Sequence, residues 1–229
     1  MRLVERGFEH HKNILDEKNL DFLSEKFDLI FAENKNKIQN KEFKVKSIPD
    51  SQSFHFASNK ERKLVGNLEF YEKNNERFLI CIHNVEADYP EVKDFFFNTI
   101  YDNVFSELQV KGRLIFDRIH LIKKTEGDNH SMDWHRDSQF CRDNFCKSIN
   151  VGVYLDESIK GRDAVSFLTG SHKIEEVDFN KENTVTVEAN PGDAIVHVGS
   201  VFHESPVTNS TKFTRRTVYY RFLYEPIKN

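Results

Sequence analysis

Sulfur, proline and glycine are scarce in this 229-residue chain, which has three Cys, two Met, five Pro and nine Gly. Cys81, Cys141 and Cys146 cannot all pair with one another, which excludes a small disulfide-stapled fold. Reduced thiols in a cytoplasmic protein are the expectation. The segment Met1 to Asn13 is polar and contains no apolar run, so neither a signal peptide nor a membrane span is expected. Neither charge sign dominates: 33 Lys and Arg against 37 Asp and Glu leave a net charge of -4. That balance argues against a surface built to grip a phosphate backbone, and no nucleic-acid partner is expected. No Pro/Gly-rich linker, internal repeat or low-complexity tract divides the chain. A single domain over 1–229 follows as the expectation, with a helical support at about 14–108 and a β core at about 113–224.

Phenylalanine is abundant, with 21 positions against a single Trp, and suits a core filled by aromatic and β-branched side chains. Leu20, Leu23, Phe27, Ile30 and Phe31 stand at helical spacing and predict a helix over Asn19–Phe31. Val92, Phe96, Ile100, Val104 and Leu108 form an i+4 row that predicts a second over Glu91–Leu108, with Pro90 at its start. From about Arg113 the period changes to two. Strands are predicted at Arg113–Lys124, Ser131–Asp137, Ser148–Asp156, Ala164–Leu168, Thr184–Glu188, Ala194–Val198, Val201–Ser205 and Thr214–Tyr224. Two earlier runs, Asn67–Tyr71 and Arg77–Asn84, extend one sheet. Many short strands separated by turn signals indicate a sandwich or barrel.

The chemistry concentrates in two places. His135 and Asp137 are two apart on a predicted strand, so both can reach one metal ion. Alone, such a pair is common. His203 offers a third ligand from a distant strand, completing a 2-His-1-carboxylate set that suits Fe(II). Three ligands on one octahedral face leave two positions for a keto acid such as 2-oxoglutarate and one for O2. Ser205 shares the parity of His203, and an Arg on the next strand can hold the far carboxylate of a dicarboxylic co-substrate. Spacing does not separate Arg215 from Arg216, because adjacent residues face opposite sides. Arg221, Trp134, Asn150 and His120 are substrate-contact candidates, as is His130. His197 is an alternative ligand that fits the downstream Ser and Arg less well than His203. His172 reads as structural or exposed, and the spacing of Cys141 and Cys146 matches no zinc signature.

His135-Arg136-Asp137 resembles the His-x-Asp of the phytanoyl-CoA dioxygenase family of Fe(II)/2-oxoglutarate oxygenases. Leu155-Asp156 followed by Val165 to Lys173 resembles that family's LD and GSHK blocks, although Thr169 stands where the family has Pro. Gly192-Asp193 and His203-Glu204-Ser205-Pro206 resemble its GD and H-x-S blocks. Asn209-Ser210 and Arg215 resemble its continuation, displaced one residue further from His203. The resemblance runs in order from about Arg113 to Tyr224. It implies a mainly β fold with flanking helices, a double-stranded β-helix or jelly roll. It also implies iron at His135, Asp137 and His203, 2-oxoglutarate at Arg215, and decarboxylation to succinate and CO2. Relatives that halogenate lack the acidic ligand, so Asp137 points to hydroxylation of a small-molecule substrate. A small polar metabolite or natural-product intermediate is preferred, and a CoA thioester is also compatible. Loops Thr125–Met132, Phe140–Lys147 and Lys41–Asn59 are expected to rim the mouth. Two other readings compete. Arg215 and Arg221 have the Arg spacing of alkylated-nucleobase demethylases, and a non-catalytic jelly-roll binding protein would need no chemistry at all.

Overall fold

A computed structural model of the chain describes residues 2–39, 46–47, 62–106, 108, 112–125, 132–137, 147–176, 183–206 and 213–226. It begins with α1 (Arg2–Arg6), β1 (Phe8–His11), α2 (Glu17–Gln39), β2 (Lys46–Ser47), β3 (Arg62–Val65), β4 (Leu68–Lys73) and β5 (Glu76–His83). A helical stretch follows: α3 (Pro90–Phe95), a π turn (Phe96–Ile100) and α4 (Tyr101–Phe105). The remaining strands are β6 (Gly112–Thr125), β7 (Met132–His135), β8 (Ser148–Tyr154), β9 (Val165–Leu168), β10 (Thr184–Val187), β11 (Ala194–Val198), β12 (His203–Ser205) and β13 (Thr214–Pro226).

The strands form a nine-stranded antiparallel sheet, ordered β1-β11-β8-β13-β6-β5-β4-β3-β2, and a four-stranded one, β10-β9-β12-β7. Alternation along each strand of the large sheet sorts its residues into two faces. Ile82, Leu121, Val151, Val153, Val196 and Val218 point outward and are buried under α2 and the α3–α4 stretch. From the opposite face, Tyr154 and Ile195 meet Val165 and Phe167 of the small sheet. Every residue of β8 is buried, because helices cover one of its faces and the small sheet the other. Two facing sheets with helices packed outside make the mainly β jelly roll that the sequence implied.

The helical expectations hold with two adjustments. α2 runs on to Gln39, carrying Asn34 and Ile38 into the buried face. The second helix contains a π turn at Phe96–Ile100 and ends at Phe105. An unbroken i+4 row drifts by about 40° per step around an ideal α-helix. The wider π turn offsets that drift, so Val92, Phe96, Ile100 and Val104 are all almost completely buried. Phe96 then stacks on Tyr220 with ring centroids 4.1 Å apart.

Three strand expectations are corrected. The polar segment Phe8–His11 is a strand, pairing with β11 at the sheet edge. Its inward parity carries Phe8, stacked on Phe167 with ring centroids 4.4 Å apart, and the polar His10. Asp193, completely buried, accepts hydrogen bonds from His10 Nε2 (2.9 Å), the Asn13 amide (2.9 Å) and the Asn190 amide (2.9 Å). The Gly192-Asp193 block thus clasps the N-terminal strand. β7 stops at His135, so Asp137 lies just past the strand rather than on it. β12 likewise begins at His203, not Val201.

Candidate metal centre and its cavity

His203 opens β12 and is the Cα partner of His135 at the end of β7, so strand register alone brings the two imidazoles together. Their ring centroids are 4.3 Å apart. Each ring is oriented by a carbonyl two residues before it: His135 Nδ1 donates to Asp133 O (2.6 Å) and His203 Nδ1 to Val201 O (3.0 Å). A carbonyl only accepts, which places the proton on Nδ1 and leaves the lone pair on Nε2. Both Nε2 atoms face Asp137 Oδ1, at 3.4 Å from His135 and 3.8 Å from His203. Three acceptor atoms pointed at one another repel unless a cation lies among them. Adjacent ligands of an octahedral ion at about 2.1 Å stand about 3 Å apart, so a contraction of under about 1 Å brings Asp137 Oδ1 to that spacing from each imidazole. The donor set fits iron.

The other oxygen of the carboxylate is held away from the imidazole pair. Asn150 Nδ2 donates to Asp137 Oδ2 at 2.6 Å and His197 Nε2 at 3.0 Å. Asn150 and His197 are cross-strand partners on β8 and β11, a placement that follows from register. His197 is therefore not in the ligand triangle but beside it, orienting the acid. Burial acts to raise the Asp137 carboxyl, but the carboxyl is held well below the usual range, and the hydrogen bond from His197 contributes to that lowering. Burial, reinforced by His135, pushes His203 down to about 3, so its nitrogen is unprotonated at neutral pH.

A cavity of about 130 Å3 opens beside these atoms, between the two sheets. By this measure a water needs about 10–15 Å3, so the space holds on the order of ten waters. At one end Arg215, 1% exposed, donates to Asp163 O (2.6 Å) and reaches Ser205 Oγ (3.4 Å). Lys124, equally buried and the Cα partner of Arg215, donates to Ser205 Oγ (2.7 Å) and Ser205 O (2.8 Å). Asp163 is the acid here, 3.8 Å from Arg215 Nε, and it is already engaged by Arg162 at 2.6 Å. The Ser205 hydroxyl accepts from both cations while keeping its own proton to donate. That combination suits an anionic guest. Arg216 points the other way, with two bonds from its side chain to Asp156 and one to Asp28 (2.7–2.9 Å). Of the two adjacent arginines, Arg215 is the one that lines the cavity.

The remaining candidates divide. Asn150, His120 and Arg221 line the cavity, Arg221 with its Nε 3.3 Å from Asp117. Trp134, next to His135 on β7, faces away from the cavity and stacks on Phe202 at 5.4 Å. His172 bonds Val4 O at 3.1 Å and tethers α1. Asn209, Ser210, His130, Cys141 and Cys146 lie outside the described residues, as does most of the three mouth loops. Sequence reasoning missed Lys124, Glu69, Cys81, His83, Tyr154 and Tyr219, all of which line the cavity. A lysine sharing the parity of His120 and Ile122 on β6 was the available signal for the first.

By sequence, the phytanoyl-CoA dioxygenase family model matches residues 3–217. Among curated proteins none matches the chain. Solved structures share its fold at low identity. EvdMO1 is 22% identical with a TM-score of 0.68, covering 97% of this chain, which spans about half (48%) of that protein. EvdO2 from Micromonospora carbonacea var. aurantiaca, complexed with 2-oxoglutarate, is 19% identical with a TM-score of 0.68, covering 100% of this chain and 90% of its own. The non-heme alpha ketoglutarate dependent carbocyclase SnoK from nogalamycin biosynthesis is 13% identical with a TM-score of 0.68, covering 98% and 84%.

Proposed function

The chain belongs to the phytanoyl-CoA dioxygenase family, and on that premise we propose that it is an Fe(II)- and 2-oxoglutarate-dependent dioxygenase that hydroxylates a C–H bond of a small metabolite. The observation that carries this reading is the convergence of ligand atoms from His135, His203 and Asp137 within 4.8 Å of one another, in a cavity shared with Arg215 and Lys124. Iron, when bound, would activate O2 as the oxidant, with 2-oxoglutarate oxidised to succinate and CO2 as one oxygen atom goes to succinate and the other to the substrate.

Each residue then has a task. His135, His203 and Asp137 Oδ1 hold the ion on one side, leaving the cavity side for reactants. Asn150 and His197 keep Oδ2 occupied, so the carboxylate binds through one oxygen. Arg215 takes the distal carboxylate of 2-oxoglutarate, with Ser205 donating its hydroxyl and Lys124 adding charge. Phe167, Ile195 and Val165 supply apolar walls that keep bulk water from the reacting bond. The cavity volume favours a small substrate over a polymer, and EvdO2's complex with 2-oxoglutarate supports the co-substrate assignment. A carbocyclase among proteins of this fold makes ring formation the alternative outcome of the same C–H oxidation.

The test is an anaerobic titration with Fe(II) and 2-oxoglutarate, followed by aerobic screening of small metabolites for succinate release. Iron-dependent succinate with a product heavier by one oxygen supports the proposal. Failure to bind 2-oxoglutarate in the presence of Fe(II) overturns it and favours a non-catalytic binding role.

A further inference from the structure

On the side of the cavity formed by β4, β5 and β6 stands a second set of donor atoms. Cys81, His83 and His120 each offer one, all within 4.8 Å of one another. Register explains the cluster: Glu69 on β4 is the Cα partner of Cys81 on β5, and His83 that of His120 on β6. All four side chains take the inner parity of the sheet and line the cavity. His83 Nδ1 lies 3.7 Å from Cys81 Sγ and 2.8 Å from His120 Nδ1. Its other ring nitrogen, Nε2, is 3.1 Å from Glu69 Oε2. An imidazole whose far nitrogen rests on a carboxylate has its near nitrogen oriented and made more basic, the arrangement that supports histidine ligands of metals.

We propose that Cys81, His83 and His120 form a second metal site, selective for a thiophilic divalent ion of the zinc class. Zinc bonds of about 2.3 Å to sulfur and about 2.0–2.1 Å to nitrogen set tetrahedral ligand separations near 3.6 Å for N···S and 3.3 Å for N···N. The sulfur separation already matches. The imidazole pair has to open by about half an ångström, which rotation of the half-buried His120 ring supplies. Glu69 and a Cys81 thiolate bring two negative charges, balancing a dication. The donor chemistry distinguishes this site from the imidazole–carboxylate triad: a thiolate selects against Mg2+ and Ca2+ and for zinc-like ions. All three ligands come from the sheet wall, so the fourth position faces the cavity, where a donor group of the substrate can occupy it.

Co2+ titration tests the site without reference to turnover, because cobalt reports thiolate coordination through a charge-transfer absorption. The intact protein is expected to bind two equivalents, one of them with that absorption. Cys81→Ser, nearly isosteric, should remove the absorption and one equivalent. His203→Ala should retain the absorption while losing the other equivalent, so failure of the triad and failure of this site are told apart. Glu69→Gln should weaken the thiolate-bearing equivalent by about 10–100-fold. A single equivalent without thiolate absorption, or absorption that survives in Cys81→Ser, overturns the proposal and leaves Glu69, His83 and His120 as a hydrogen-bonded chain.

Discussion

His135 and His203 sit directly opposite each other on β7 and β12, their rings 4.3 Å apart and each locked by its Nδ1 on a backbone carbonyl. The two imidazoles of the candidate centre are therefore brought together by strand pairing, and Asp137 reaches them from just past the end of β7.

Substituting one member of that pair is expected to abolish iron binding. In His203→Ala, Asp137 Oδ1 and His135 Nε2 alone remain, and two ligands do not hold Fe(II) against water. Isothermal titration with Fe(II) under anaerobic conditions checks this. Circular dichroism should be unchanged, because β12 keeps its backbone pairing with β7 and β9.

Asn150→Ala should weaken iron binding about 10–100-fold without abolishing it, because it frees Asp137 Oδ2 to swing out of line. His197→Ala should act in the same direction through its own bond to Oδ2. The double substitution should cost less than the sum of the two, since both act on one oxygen. A strictly additive result would mean that the two side chains do not share this task.

Arg215→Ala should raise the 2-oxoglutarate dissociation constant by an amount equivalent to about 2–5 kcal/mol while leaving iron in place. Arg216→Ala should leave 2-oxoglutarate binding alone. Instead it breaks the link from β13 to Asp156 and Asp28 and lowers stability by about 1–3 kcal/mol, read by urea denaturation. If Arg216→Ala alone abolished co-substrate binding, the anchor would be misassigned.

Asp193→Ala should destabilise the protein by about 3–5 kcal/mol, since it strands His10 and two backbone amides around a buried site. Hydrogen exchange should rise first across Phe8–Asn13, as the β1 edge detaches from β11.

The features most legible from residues alone were those that chemistry makes rare. Few arrangements other than a metal site place His, Asp and a distant His in one order with a downstream Arg, so His135, Asp137 and His203 stood out. The i+4 row of α3–α4 was equally plain, although the π turn that keeps the row aligned left no mark in the pattern. β1 escaped notice because Phe8 is the one apolar residue in its four, and the inward His10 serves Asp193. The parity argument placed Asp137 on a strand, whereas the chain has already left β7 there. Its carboxylate reaches the imidazoles because Asn150 and His197 hold it.

Residue types and their alternation determined the inventory: a β core, two supporting helices and a short roster of ligand-capable side chains. Register determined the rest. Only the pairing of β11 with β8, β8 with β13, β13 with β6, and β6 with β5 brings His197 to Asn150, Lys124 to Arg215 and His83 to His120. A shift of one residue would turn each of these side chains to the helical face. That register is held by the burial of both faces of the sheet at once, a property of the packed layers that no single strand carries in its own residues.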